Sequence, residues 1–156
     1  MSRVLTRVPP LGPSSTAHAD DLYTWAMEQA ALLRAGDLSA LDRDNLAEEI
    51  ESLGRSEFNR LVSVYALIQL HILKWDHQPN HRSASWAISI ATHRQHALEV
   101  LAENPGLKSR CDEAFAKAYR GARLDAIRET GLADATFPAT CPVTRDAAMT
   151  RPFRYE

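Results

Sequence analysis

The sequence predicts an all-α domain, a helical bundle of four principal helices with a long central helix and a short C-terminal element. Three observations carry this. Apolar residues recur at helical spacing over long stretches, and cap-forming residues, glycines and prolines fall between those stretches. No alternation of apolar and polar residues is long enough for a strand. At 156 residues, 45% of them hydrophobic and 24% charged, the chain suits one domain able to bury its own core.

Residues 1–19 hold Pro9, Pro10, Pro13 and the run Ser14-Ser15-Thr16 without periodicity. They are read as a flexible N-terminal arm, leaving 20–156 as the single folded domain. The first helix is expected from Asp20 or Asp21, either of which can cap it. Leu22, Trp25, Gln29 and Leu32 share one face of it, with Leu33 beside them. Gly36 stops it, because glycine takes the left-handed conformation without a Cβ clash.

Asp42 then caps the central helix, and Asp44, Glu48 and Glu49 suit its N-terminal dipole. On a helix the stretch from Asp42 to His77 aligns Leu46, Ile50, Leu53, Leu61, Val64, Ile68 and Trp75 along one stripe. Glu57 and His71 fall within that stripe, and Glu49 lies at its edge. Gly54 interrupts the pattern and marks a kink, a break or a close helix crossing. Beyond Arg60 apolar residues surround the helix, which implies that its neighbours enclose it.

Pro79 ends that helix. Ser83 or Ser85 caps the third, whose stripe is Trp86, Ile90, His93, Ala97 and Leu101, and Asn104-Pro105-Gly106 closes it. The fourth runs from about Leu107 to Thr130, burying Cys111, Phe115, Ala118, Ala122 and Ala126, with Gly131 as its stop. A short helix is expected after Pro142.

The formal net charge of −2 gives no footprint for nucleic acid. Arg110, Lys117, Arg120, Arg123 and Arg128 of the fourth helix alternate with Asp112, Glu113, Asp125 and Glu129, a mixed and solvated face. No apolar run approaches a membrane span and no targeting segment is recognised. Two cysteines, Cys111 and Cys141, have neither zinc-site spacing nor disulfide density. The expectation is a cytoplasmic protein with reduced thiols and no membrane or nucleic-acid partner.

The catalytic patterns GxSxG, HExxH, GxGxxG and the P-loop are absent, as is the Glu-x-x-His pairing of di-metal bundles. No metal is predicted and no cofactor is specified. His71 and His93, with Glu49 or Glu57, are the residues that would come nearest to a metal site. For Glu49 to join His71, 22 residues further on and roughly 33 Å along a helix axis, the chain would have to fold back at Gly54.

Several blocks resemble one family. They are DLYTWAMEQAALLRAG, LDRDNLAEEIESLGRSE, HILKWDHQP, Ser85-Trp86, His93-Arg94, Tyr119 with Ala122-Arg123, ETGL at 129–132, and Phe137-Pro138 with Cys141-Pro142. Together they resemble the bacterial domain of unknown function family 29 over Asp21 to Pro152. The resemblance implies a mainly helical domain and no established activity. Its polar positions fall on Asp42, Glu48, Glu49, Ser52, His71, Lys74, Gln78, Arg94, Arg123 and Glu129. The family usually has glutamine in place of His93, which argues against a two-histidine metal site.

Two functional classes follow, and the sequence does not decide whether the chain is an enzyme. The first is a cytoplasmic helical binding or regulatory module acting on a protein partner, or on a second copy of itself. The second is an enzyme or small-ligand-binding bundle with a polar pocket around Glu49, His71, Lys74 and Arg94, metal-dependent hydrolysis being its nearest chemistry. The candidate pocket residues are Glu48, Glu49, His71, Lys74, Gln78, Arg94 and Arg123. Whether they converge separates the two classes.

Overall fold

The computed structural model describes residues 16–155. It contains five helices: α1 (Leu22–Ala35), α2 (Arg43–His77), α3 (Ala84–Glu103), α4 (Cys111–Thr130) and the short α5 (Arg145–Thr150). Three short 3-10 segments, Pro79–His81, Pro105–Arg110 and Asp134–Thr136, join them, and no strand occurs among the described residues. Nor is any helix among them long and apolar enough to cross a membrane. The chain falls into two compact units that divide at Gly54 and Arg55.

The helix ends obey capping chemistry. Asp21 accepts from the backbone N–H of Thr24 at the start of α1, and Gly36 closes it in the left-handed region at φ 75°. Asp42 accepts from Asn45 N–H, Ser83 from Trp86 N–H and Thr144 from Ala147 N–H. Each side chain satisfies a donor that the first helical turn leaves without a partner. Gly131 ends α4 at φ 68°.

In the first unit, Trp25, Gln29 and Leu32 are the buried side of α1. The expected arm, 1–19, falls mostly outside the described residues. Its described part is held, for Thr16 hydrogen-bonds Glu28 and His18 hydrogen-bonds Glu49.

In the second unit, α2 from Phe58 onward is enclosed as its composition requires. Leu61, Tyr65, Ile68, Ile72, Ile90, Ala97, Val100, Phe115, Ala118 and Ala148 belong to one buried cluster. Leu70, Leu73, Tyr119, Ala122, Ala126 and Phe137 form another. The alanines at 114, 118, 122 and 126 of α4 are buried at four-residue intervals, which lets that helix approach its neighbours closely.

Two expectations are corrected. Gly54 neither breaks α2, which is continuous from Arg43 to His77, nor marks a close crossing, since a Cβ built there meets nothing within 4 Å. The apolar stripe also does not stay inward along its whole length: Ile50 is 65% and Leu53 69% exposed. On α1, Leu22 and Leu33, placed on or beside the inward face, are exposed as well. Periodicity shows which residues share a face of a helix, but not how far a neighbouring helix extends to cover it.

Candidate functional site

The polar groups of the second unit sort into two sets. The first lies where α2 meets α3 and α4. The Nδ1–H of His71 donates to the Leu67 carbonyl at 2.8 Å. A carbonyl can only accept, so in the neutral ring the proton sits on Nδ1 and Nε2 is left as an acceptor. The His71 ring centre lies 5.8 Å from that of His93 on α3, which in turn lies 5.9 Å from that of His96. Burial first, then the neighbouring imidazoles of His71 and His96, hold the pKa of His93 below the ordinary histidine value. Nδ1 of His93 is buried without a hydrogen-bond partner.

One turn along α2, Lys74 is only 13% exposed and sets its ammonium 2.7 Å from the Glu129 carboxylate of α4. The same nitrogen lies 4.8 Å from the centre of the Trp86 ring on α3. His71, Lys74, Trp86, His93 and Glu129 thus form a polar seam between the three helices. Gln78 follows directly, its backbone N–H closing on the Lys74 carbonyl at 2.9 Å.

The second set fastens the C-terminal segment. Arg94 donates to the carbonyls of Ala148 and Arg151 and covers the Phe153 ring. Arg151 forms a two-pronged pair with Asp76, and Phe153 stands edge-on to Trp75 at 5.4 Å. Burial, and then the like charge of Arg151, push the pKa of Arg94 down. Arg123 donates to the carbonyls of Asp134, Phe137 and Pro138 and pairs with the Asp134 carboxylate at 2.7 Å. Tyr119 donates to the Pro138 carbonyl beside it. Guanidinium groups with their donors so engaged are structural clamps.

Glu48 and Glu49 belong to the first unit. Glu49 accepts from His18 Nε2–H at 2.7 Å, and the His18 ring stands edge-on to Trp25 at 4.6 Å. Trp25 donates to Asp42, whose own N–H donates to the buried Gln29 amide oxygen. Hydrogen bonds from Asn45, and more weakly from Trp25, hold the Asp42 carboxyl below the usual range against an upward push from desolvation. Glu48 is exposed.

Of the seven candidate pocket residues, the second unit therefore places His71 and Lys74 along the seam and engages Arg94 and Arg123 as clamps, while Gln78 is tied to Lys74 through its backbone N–H. For metal binding, Glu57 is already held by Asn104 and Arg60. Among the described residues no group of three or more His, Cys, Asp or Glu side chains is arranged to hold an ion. Both cysteines are free thiols, and burial raises the pKa of Cys141. Arg110, at the end of the 3-10 segment before α4, pairs with Glu113, and on α4 Arg128 pairs with Asp125, the mixed face that the alternating charges imply.

Sequence reasoning missed His18, which it placed in the arm, and His96, which becomes visible only as the neighbour of His93. It also missed the outer face of α1, where Tyr23 and Met27 are exposed, with Leu22 and Leu33 exposed at the edge of the inward stripe. The signal was there: LYTWAMEQAALLRA has only four polar residues, Thr24, Glu28, Gln29 and Arg34, among fourteen.

No curated protein and no solved structure shows similarity to this chain. The sequence does match one family over nearly its whole length, residues 18–154, and the chain belongs to that family, the domain of unknown function DUF29.

Proposed function

We propose that this chain is a protein-binding module and that the outer face of α1 is its contact surface. One observation carries the reading: α1 is apolar on both sides and covered on one. Trp25 and Leu32 are buried, whereas Tyr23 is 76% and Met27 53% exposed, with Leu22 and Leu33 exposed beside them. Large apolar side chains left exposed opposite a buried helix face mark interaction sites. The clamping roles of Arg94 and Arg123 support the same reading, because they take two residues out of the pocket proposed for an enzyme. With two free thiols and no membrane-length helix among the described residues, the natural setting for such a module is the bacterial cytoplasm.

Photocrosslinking tests this directly. A benzoylphenylalanine placed at Tyr23 or Met27 in the full chain, irradiated in the cells that make it, should give adducts with a protein. The same group at exposed Arg128 should not. Equal yields at all three positions, or none at Tyr23 and Met27, would overturn the reading.

A second reading rests on the seam. A small-ligand site along His71, Lys74 and His93 is favoured by the buried, unpartnered Nδ1 of His93 and by the acceptor left on His71. Titration of the imidazole NMR signals with inorganic phosphate and with zinc tests it, and signals unmoved by both exclude it.

A further inference from the structure

We infer that the partner of the α1 face is a basic amphipathic segment of another protein, an inference that rests on the docking role proposed for that face. Between residues 16 and 54 the chain has nine acidic side chains and only two basic ones, Arg34 and Arg43. The described residues from 55 onward have the opposite balance, fourteen basic against ten acidic. The net charge of −2 hides this division. Asp20 and Asp21 lead directly into Leu22 and Tyr23, and Asp20, Asp21, Asp44 and Glu48 are all exposed. The apolar face is therefore carried by a strongly acidic unit.

That charge decides between occupants. A second copy docking through the same face would bring two acidic units together, and like charges opposed across an interface disfavour association. An anionic membrane surface is repelled for the same reason. A partner segment with apolar residues on one side and Lys or Arg on the other gains twice: its apolar side covers Tyr23 and Met27, and its cations meet the exposed Asp20 and Asp21 at the start of the helix. Such helix-on-face docking anchors through residues spaced three and four apart, and Tyr23 and Met27 have that spacing.

The test uses the full chain and two labelled synthetic helical peptides. Each has leucines on one side, and the other side is all lysine in one peptide and all glutamate in its counterpart. Fluorescence anisotropy should show the lysine peptide binding at least about tenfold tighter at about 0.05 M salt, with the gap narrowing by about 0.3 M. Met27→Lys should weaken the lysine peptide about tenfold and Asp20→Lys about threefold, both with unchanged circular dichroism because both positions are exposed. Equal affinity for the two peptides, or a lysine preference indifferent to both substitutions, overturns the inference. So does self-association in sedimentation that Met27→Lys abolishes, which would give the face to a second copy. If crosslinks form at Tyr23 while the peptides bind alike, only the charge assignment falls. If no crosslinks form, the docking role falls and takes this inference with it.

Discussion

Lys74 and Glu129 tie the middle of the second unit to its fourth helix. The ammonium lies 2.7 Å from the carboxylate and 4.8 Å from the centre of the Trp86 ring, so one nitrogen links α2 to both α4 and α3. Lys74 is mostly buried and Glu129 partly exposed. The pair therefore ranks between a screened surface bridge and a desolvated one. Lys74→Ala should cost about 2 kcal/mol in urea unfolding, since the stem packing goes with the charge. Lys74→Met, which keeps the stem, should cost less than about 1 kcal/mol. Equal losses would mean that the charge, not the packing, holds the seam.

Arg94 closes the C-terminal segment onto α3 through two backbone carbonyls, and Asp76 holds Arg151 from α2. A lysine cannot reproduce a planar fork that reaches both carbonyls. Arg94→Lys should therefore lower stability by about 1–3 kcal/mol and speed hydrogen exchange at 145–153 well before it speeds exchange in α3. Exchange that rises uniformly across the second unit would show that the segment is not a separately fastened element.

How much of this was legible follows from what each signal encodes. Caps and stops are local chemistry, so Asp21, Gly36, Asp42, Ser83 and Gly131 could all be read from a few neighbouring residues. The alanine line of α4 was equally readable, because small residues at four-residue spacing have little other use on one face. Coverage was not legible. Ile50 and Leu53 continue the stripe of Leu61 and Ile68 in perfect register, yet whether a stripe is covered depends on where other helices end. The roles of Arg94 and Arg123 were hidden for a similar reason: their partners are backbone carbonyls 11 to 57 positions away, and a carbonyl has no signature in a sequence. The resemblance marked both residues as important without saying whether they were chemical or structural.

The uneven coverage of α2 is open to measurement. Ile50→Ser and Leu53→Ser should each change stability by less than about 0.5 kcal/mol, as surface substitutions do. Leu61→Ala, at a position with no exposure, should cost about 2–5 kcal/mol from lost burial and the cavity left behind. A loss above about 1.5 kcal/mol at Ile50 would show that its side chain is covered in solution.

His93 makes stability depend on pH with a definite sign. Its imidazole is held neutral in the fold by burial and by His71 and His96, whereas in the unfolded chain it titrates near 6.5. Below that value the unfolded chain binds the extra proton first, so its share of the stability is complete above about pH 6.5 and is lost as the pH falls toward the lower folded value. His93→Gln removes the titrating group and keeps a polar side chain of similar reach. At neutral pH the variant should lie within about 1 kcal/mol of the parent. As the pH is lowered from about 7.5 to 5 its urea midpoint should fall less steeply. Parallel curves for the two proteins would mean that His93 takes up its proton as readily in the fold as outside it, and that its ring is better solvated than its buried Nδ1 implies.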